Sequence, residues 1–355
     1  MQTSVAQLIT SEIQRQGAIR FSRFMELALY APRLGYYETR DPVGARGDFY
    51  TSASVPLFGA LLARRCAEWL RPNQGIYEAG ANNGQLASAV LRQLAVNYTI
   101  VEPSPAQQQR QLEFLSAQGV SEKVSWVPDL PRGCEGVLLT NELLDAIPFD
   151  LWQWNRSART WSLLGATQHE VAFTWSVLEG SSRPQLPWIE LPSELLDIVP
   201  DGFRTEDHSR AAQWWKEAAE RLRDGYLVAF DYGLNSEDFF APERAQGTFR
   251  GYAKHRQLTN VLDAPGEQDI TSHVNFTRVR QAGEEAGLET IFDGPQSKFL
   301  HEIAAEWIAA APADWTASMA RQFQTLTHPE HLGRSFRVLV QRRPACSPPP
   351  PRATP

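Results

Sequence analysis

Apolar residues in the first seventy positions follow a helical period. The apolar positions of the first predicted helix, at 4–16, are Val5, Leu8, Ile9 and Ile13. This 3.6-residue stripe ends at Gly17, and a second one at 21–30 stops before Pro32. Positions 33–52 then combine glycine, aromatic and polar residues, more than a simple surface connection requires. The pattern predicts N-terminal helices and a loop, together spanning residues 1–74, and leaves the role of the loop open.

A different pattern begins near residue 75, where short apolar runs alternate with helix-length segments. Strands are predicted at 76–79, 98–101, 124–127, 136–140 and 226–230, and helices between them include 85–94 and 105–118. Strands separated by helices are typical of a parallel, doubly wound α/β sheet. Further along, a helix is predicted at 277–286 and strands at 289–292 and 335–342, with no clear crossover helix between those two strands.

Two stretches depart from this alternation. Alternating apolar and polar residues at 150–178 predict antiparallel strands, so we expect an inserted β region at about 150–205 within a main domain spanning 75–342. Residues 235–276 are rich in glycine, proline, charge and aromatics, which predicts an irregular segment on the substrate side. The tail at 343–355 contains four consecutive prolines and is predicted to be disordered.

Composition narrows the class of protein. The 355 residues are 43% hydrophobic and 21% charged, as in globular proteins. No apolar run reaches the roughly 20 residues of a membrane helix, and the N-terminus lacks the pattern of a signal peptide, so a cytoplasmic protein without membrane contact is predicted. The net charge of −7 gives no reason to expect a nucleic-acid partner. The three cysteines lack metal-ligand spacing, so no metal site is predicted. A homodimer is left open.

The window at 76–86 carries the first chemical signal. It follows a predicted strand, opens a predicted helix and contains Gly80, Asn82 and Gly84. Backbone N–H groups and a helix N-terminus meet at such a turn, where ligands bind at the carboxyl end of the strand. Glycines also occur in tight turns for packing alone, and this window by itself supports both interpretations equally.

Glu102 ends the next predicted strand and lies 22 residues after Gly80. A carboxylate there can accept hydrogen bonds from both ribose hydroxyls of an adenosine, an arrangement used for NAD and for S-adenosylmethionine. The third glycine of the dinucleotide fingerprint is missing from this turn. S-adenosylmethionine has no pyrophosphate that needs this glycine, so the methyl donor is favoured over NAD.

Polar residues also follow the next two strands. Asp129, with Leu130 beside it, lies where a side chain can reach an adenine, although a solvated turn aspartate is the better interpretation of this residue alone. Asn141, Glu142 and Asp145 follow the strand at 136–140, in the crevice where open α/β sheets bind ligands. The alternative there is a helix start capped by Asn141.

Taken in order, these motifs resemble the MidA-like family of S-adenosylmethionine-dependent methyltransferases. The resemblance rests on Glu78-x-Gly80-x-Asn82-x-Gly84, Asn141-Glu142-x-x-Asp145-Ala146-x-Pro148 and Gly47-Asp48-Phe49-Tyr50-Thr51-Ser52, with supporting segments at 34–37, 231–233, 247–255 and 265–276. One departure is Asn82, where the family usually has a glycine. Asparagine tolerates positive φ better than other non-glycine residues, so the turn is expected to survive.

The resemblance implies a class I, Rossmann-like methyltransferase with a seven-stranded sheet, S-adenosylmethionine as cofactor and an arginine of a protein as acceptor. The implied cofactor-binding residues are Tyr37, Tyr50, Thr51, Gly80, Asn82, Gly84, Glu102, Asp129, Leu130 and Asn141. The implied catalytic residues are Glu142, Asp145 and Asp48, whose carboxylates would bind a guanidinium. The loop within residues 1–74 would then cover the active site. Two alternatives remain: a non-catalytic binding or assembly factor that keeps the fold, consistent with Asn82, and, less favoured, an NAD-dependent oxidoreductase.

Overall fold

The computed structural model describes residues 4–40, 51–253, 256–329, 332–333 and 336–344. The helices are α1 (Val5–Gln16), α2 (Phe21–Tyr30), α3 (Tyr36–Thr39), α4 (Pro56–Trp69), α5 (Gln85–Leu91), α6 (Pro105–Ala117), α7 (Ser193–Ile198), α8 (Ser209–Arg221), α9 (Phe276–Glu285), α10 (Gln296–Ala310) and α11 (Ala317–Thr327). The strands are β1 (Ile19–Arg20), β2 (Gly75–Ala79), β3 (Tyr98–Val101), β4 (Val124–Val127), β5 (Cys134–Asn141), β6 (Asp150–Asn155), β7 (Thr160–His169), β8 (Ala172–Val177), β9 (Arg204–Asp207), β10 (Leu222–Leu234), β11 (Arg250–Ala253), β12 (Arg256–Leu258), β13 (Asp269–Thr271), β14 (Val274–Asn275), β15 (Glu289–Pro295) and β16 (Phe336–Arg343).

The main sheet of the molecule is mixed and has eight strands. Seven strands follow the order β15-β16-β10-β5-β2-β3-β4, and β14 pairs with the end of β10. Strands β4, β3, β2, β5 and β10 are parallel, whereas β16 is antiparallel to both of its neighbours. The predicted α/β fold is confirmed. The predicted number of seven strands becomes eight, because β14 has only two residues and leaves no pattern in the sequence.

Helices cover both faces of this sheet, which explains the continuous apolar runs of its strands. Leu139 and Val228 belong to the core on the side of α4, α5 and α10. Their neighbours Leu138 and Leu227 belong to the core on the side of α8 and α9. Since successive side chains of a strand point to opposite faces, one strand contributes to both cores. This double burial makes the central strands rigid and fixes the positions of the residues that follow them.

A second, antiparallel sheet is formed by β1, β7, β6 and β9, with β8 paired to β7. The N-terminal helices α1 and α2 pack on it: Ile9 and Phe24 share a buried cluster with Leu151 and Leu164. Helix α4, in contrast, packs on the main sheet through Phe58. The residues predicted as one N-terminal unit, 1–74, are therefore divided between two cores, because α1 and α2 bury their apolar stripes against the inserted sheet.

One sequence prediction near the C-terminus is corrected. Helices α10 and α11 lie between β15 and β16, so the prediction of no clear crossover helix was wrong. Phe299, Leu300, Ile303 and Ala304 have helical spacing and are buried against the main sheet. The segment at 235–276, expected to be irregular, carries three short strands in the order β12-β11-β13 among its loops and 3₁₀ turns. Within the described ranges, no helix is both long and apolar enough to cross a bilayer.

Candidate active site

A cavity of about 1150 Å³ opens where β2, β3, β4 and β5 reach their carboxyl ends. Parallel strands end at the same edge of a sheet, so residues distant in sequence meet there. The predicted site residues that line the cavity are Tyr37, Thr51, Gly80, Asn82, Glu102, Asp129, Leu130, Asn141, Glu142 and Asp145. Two further predicted residues, Asp48 and Tyr50, lie outside the described residues. Gly84 is not part of the cavity wall.

The turn from β2 into α5 has three residues with positive φ: Gly80 (74°), Asn82 (48°) and Gly84 (86°). Asn82 adopts the left-handed conformation that its side chain tolerates. Its carbonyl oxygen accepts a hydrogen bond of 2.8 Å from Gln111 Nε2. A Cβ atom at Gly84 would lie 3.2 Å from Leu115. Gly84 therefore serves close packing at the start of α5, whereas Gly80 and Asn82 face the cavity.

Glu102 directly follows β3, as the sequence predicted. Its Oε1 accepts from the backbone N–H of Ser104 at 2.9 Å, and its Oε2 accepts from Gln111 Nε2 at 3.2 Å. Trp126 Nε1 in turn donates to Gln111 Oε1 at 2.9 Å, which fixes the amide. Burial raises the pKa of Glu102, while the Ser104 and Gln111 donors oppose that rise. An ionised carboxylate offers about four acceptor positions, so capacity remains for a pair of hydroxyls.

Asp129 lines the cavity but has a largely exposed side chain. Its Oδ2 forms an ion pair of 2.9 Å with Arg221, and 71% of the side chain remains accessible. Its Oδ1 accepts from the backbone N–H of Leu130 at 2.8 Å. The carboxylate is therefore held in a fixed direction at the cavity rim. Its contact with an adenine amine stays a prediction.

Glu142 and Asp145 lie on the loop that follows β5. Glu142 has a φ of 53°, its N–H donates to the carbonyl of Phe230 at 2.9 Å, and its Oε1 accepts from Asn141 Nδ2 at 3.1 Å. Loss of bulk water, reinforced by the negative Asp145, raises the pKa of Glu142 to about 8. The helix start capped by Asn141 is not found, since only a short 3₁₀ turn, Leu144–Ala146, follows.

Sequence reasoning missed two further carboxylates, Asp231 at the end of β10 and Asp269 on β13. Asp269 accepts a hydrogen bond of 2.8 Å from Tyr37 Oη. The pKa of Asp145 is raised well above its ordinary value, mainly by burial and further by the negative charges of Asp231 and Asp269. We call Glu142, Asp145, Asp231 and Asp269 the acidic cluster. Both missed residues stand in family-like segments, at 231–233 and 265–276, but nothing in those segments indicates where they fold.

His273 lines the same part of the cavity. Burial, assisted by the positive Arg244 and Arg250, lowers the pKa of His273 to about 4. The ring is therefore neutral at physiological pH. Its Nδ1 is buried and has no hydrogen-bond partner among the described residues. His255, in the family-like segment at 247–255, lies outside the described residues.

The cavity has two halves along the strand order. We call the half at β2, β3 and β4 the cofactor half after its predicted role; it is lined by Gly80, Asn82, Glu102, Asp129 and Leu130. We call the half at β5, β10 and β13 the acceptor half; it is lined by Glu142, Asp145, Tyr232, Asp269 and His273. The residues of the cofactor half fit S-adenosylmethionine, since Glu102 has remaining acceptor capacity for the ribose hydroxyls and the turn at Gly80 admits close approach. In the part of the chain that the structure describes, no group of His, Cys, Asp and Glu side chains is arranged to hold a metal ion.

Comparison with known proteins agrees with this geometry. Residues 61–292 match the family described as S-adenosyl-L-methionine-dependent methyltransferases. A crystal structure of a Burkholderia thailandensis protein bound to S-adenosyl-homocysteine is 32% identical, with a TM-score of 0.84 over 96% of this chain and 92% of that one. The mitochondrial protein arginine methyltransferase of Danio rerio is 26% identical over 94% of this chain and 85% of its own. Its homologue in Drosophila melanogaster is 28% identical over 95% and 84%.

The α/β fold and the comparisons together define a methyltransferase. The chain belongs to the S-adenosyl-L-methionine-dependent methyltransferase family that its residues 61–292 match, and the MidA-like resemblance is confirmed. It is an enzyme whose cofactor is S-adenosylmethionine, and the comparisons support neither the non-catalytic nor the NAD-dependent alternative. The predicted cytoplasmic location was wrong: the curated relatives are mitochondrial proteins, which points away from the cytoplasm.

Proposed function

We propose that this methyltransferase transfers a methyl group to the guanidinium of an arginine in a protein substrate. Two supports are independent of each other. The relatives from Danio rerio and Drosophila melanogaster are named as protein arginine methyltransferases and align over nearly the whole chain. The acceptor half of the cavity concentrates carboxylates, the groups that bind a guanidinium. This concentration of carboxylates is the observation that carries the proposal.

Three members of the acidic cluster, Glu142, Asp145 and Asp231, take part in none of the ion pairs found within the described ranges. Removing unpaired carboxylates from water is costly, and a positive group entering the cavity offsets that cost. Asp145 Oδ1 is buried without a hydrogen-bond partner among the described residues. A guanidinium presents five N–H donors in a planar fork, which suits several carboxylates better than a single ammonium does.

Residues of the cofactor half would hold the methyl donor. Glu102 would accept from the ribose hydroxyls, the turn at Gly80 and Asn82 would lie against the amino-acid end, and Asp129 with Leu130 would flank the adenine. When bound, S-adenosylmethionine supplies a methyl group that is already activated by its positively charged sulfur. The protein therefore contributes mainly alignment of the acceptor with that methyl group.

The acceptor half would orient the guanidinium and take up the proton that methylation releases. Glu142 and Asp145 would hold two sides of the guanidinium so that one nitrogen faces the cofactor half. Methylation of a guanidinium nitrogen releases a proton. With a pKa of about 8, Glu142 holds a proton in the empty cavity at neutral pH, whereas a bound guanidinium would favour its ionised form, which could then take up the released proton. Tyr37, Thr51 and Tyr232 line the cavity and would exclude water. We also propose that Asp48 contributes to catalysis and that Tyr50 contributes to cofactor binding.

The identity of the methylated residue tests this function. The purified protein is incubated with S-adenosylmethionine carrying a tritiated methyl group and with a protein extract from cells that lack this chain. The labelled protein is hydrolysed and its amino acids are separated by chromatography. We expect the label in methylarginine, with excess S-adenosylhomocysteine abolishing it. Label in another amino acid, or protein that stays unlabelled, would contradict an arginine acceptor.

A further inference from the structure

The carboxylate of Asp231 is fully buried at the end of β10, directly behind the loop that carries Glu142 and Asp145. Its Oδ2 accepts from the backbone N–H of Leu144 at 2.9 Å and of Asp145 at 3.4 Å. Its Oδ1 accepts from the N–H of Tyr232 at 2.9 Å. Asp231 does not line the cavity. Asp231 therefore does not touch a molecule in the cavity, and it acts through the loop that it binds and through its electrostatic effect on Asp145.

The loop needs such support because its backbone is strained. Glu142 has a φ of 53°, a conformation that costs free energy in a residue with a side chain. Phe230, one residue before Asp231, holds the same loop from the other side, since its carbonyl accepts from the N–H of Glu142 at 2.9 Å. The end of β10 therefore fixes the loop at Glu142, Leu144 and Asp145.

The loop also supports another wall of the acceptor half. The carbonyl of Asp145 accepts from the N–H of Ser272 at 3.2 Å, next to His273. A displacement of Asp145 would therefore also move the segment that follows β13. In the cofactor half, Gln111 from α6 binds both Glu102 and Asn82, and neither of these residues is hydrogen-bonded to Asp231 in the described part of the chain.

We propose that Asp231 is a positioning residue for methyl transfer: by holding the N–H groups of Leu144 and Asp145, it sets the direction in which Glu142 and Asp145 meet the acceptor. This inference rests on the proposed acceptor role of those two carboxylates. It does not depend on which amino acid is the acceptor. The proposed role of Asp231 differs from that of the other members of the acidic cluster, because those residues line the cavity and Asp231 does not.

Two substitutions test the proposal, Asp231→Asn and Asp231→Ala. Asparagine keeps one oxygen for Leu144 and Asp145 but places an amide N–H against Tyr232, whereas alanine removes every acceptor. Asp224→Asn is the matched control, because Asp224 lies on the same strand and binds Arg71 and Gln74 away from the cavity. The measurements are the rate of tritium transfer to the protein extract, the Kd for S-adenosylhomocysteine by calorimetry, and the fraction of folded protein by circular dichroism.

We expect the rate per folded molecule to fall about tenfold in Asp231→Asn and about a hundredfold in Asp231→Ala, because small misplacements of catalytic groups have effects of this size. The Kd for S-adenosylhomocysteine should change less than threefold in both variants, and the control should match the wild type. If alanine prevents folding, the asparagine variant alone decides. A wild-type rate in folded Asp231→Asn, or equal losses of rate and cofactor affinity, would overturn the proposal. Label in a residue other than arginine would refute the proposed acceptor while leaving the comparison of variants valid.

Discussion

Tyr37 Oη donates a hydrogen bond of 2.8 Å to Asp269 Oδ1 across 232 residues of sequence. The same tyrosine binds α6 through its carbonyl oxygen, which accepts from Gln107 Nε2 at 2.6 Å and from Arg110 Nη2 at 2.8 Å. Helix α6 also carries Gln111, the partner of Glu102. Tyr37 thus connects the helix behind the cofactor half with a carboxylate of the acceptor half.

The hydroxyl of Tyr37 is predicted to act on the acceptor rather than on the cofactor. Tyr37→Phe removes the donor to Asp269 and keeps the ring. A hydrogen bond to a charged group contributes about 1.5–3 kcal/mol, so the KM for the protein acceptor should rise roughly tenfold. The Kd for S-adenosylhomocysteine should change less than twofold. Tyr226→Phe, where the ring stacks on Trp69 outside the cavity, is the control. Loss of cofactor affinity with normal acceptor kinetics would instead place the hydroxyl in the cofactor half.

Glu102 is predicted to control cofactor affinity. Glu102→Ala removes the carboxylate expected to accept from the ribose hydroxyls, charge-assisted bonds that are each worth about 1.5–3 kcal/mol. Calorimetric titration should show at least a tenfold weaker Kd for S-adenosylhomocysteine, with the fold preserved. Glu113→Ala, on the exposed side of α6, should bind like the wild type. An unchanged Kd in Glu102→Ala would remove this residue from the cofactor site.

Glu78 is predicted to make the stability of the free enzyme depend on pH. Its side chain is buried and accepts from Tyr98 Oη at 2.8 Å, and burial raises its pKa from 4.5 to about 7. The folded state therefore holds this proton more tightly than the unfolded chain, so the contribution is present below pH 4.5 and is lost as pH rises toward 7. The loss is on the order of 3 kcal/mol.

Urea unfolding of wild type and Glu78→Gln, measured without cofactor between pH 4 and 8, checks this dependence. The free energy of unfolding of the wild type, relative to that of the variant, should fall across the interval from pH 4.5 to 7. Glutamine keeps an acceptor for Tyr98 and does not titrate. A difference between the two proteins that stays constant over this interval would show that Glu78 retains an ordinary pKa.

The sequence predicted the parts of the site that depend on single strand ends. Gly80, Glu102 and Asn141 each follow a short apolar run, and parallel strands bring such positions to one edge regardless of loop details. The alternation of strands and helices was enough to predict the α/β fold. The local sequence pattern and the order of the elements along the chain are therefore enough to predict most residues of the cofactor half.

The acceptor half could not be predicted in the same way. Asp269 lies on β13, a strand of three residues, and reaches the cavity only because that strand pairs with β11. Asp231 lies near the carboxyl end of β10, but its role depends on N–H groups of a loop about 86 residues earlier. Short strands leave no periodic signal, and contacts over such separations are set by packing of the whole chain. The φ of 53° at Glu142 likewise has no local signature.

The variant Glu142→Gln tests whether the acidic cluster binds the methyl acceptor. The substitution keeps the shape of Glu142 and removes the charge that would orient the guanidinium and take up its proton. Loss of an oriented charged contact in a closed site costs about 3–4 kcal/mol of transition-state stabilisation, on the order of a hundredfold or more in rate.

The decisive measurement is the rate of tritiated methyl transfer to arginine in the protein extract by Glu142→Gln, with the Kd for S-adenosylhomocysteine determined on the same sample. An acceptor role for Glu142 predicts a rate at least a hundredfold below that of the wild type and a Kd within threefold of it. A wild-type rate of arginine methylation by the folded variant would contradict the assignment of the acidic cluster to the acceptor.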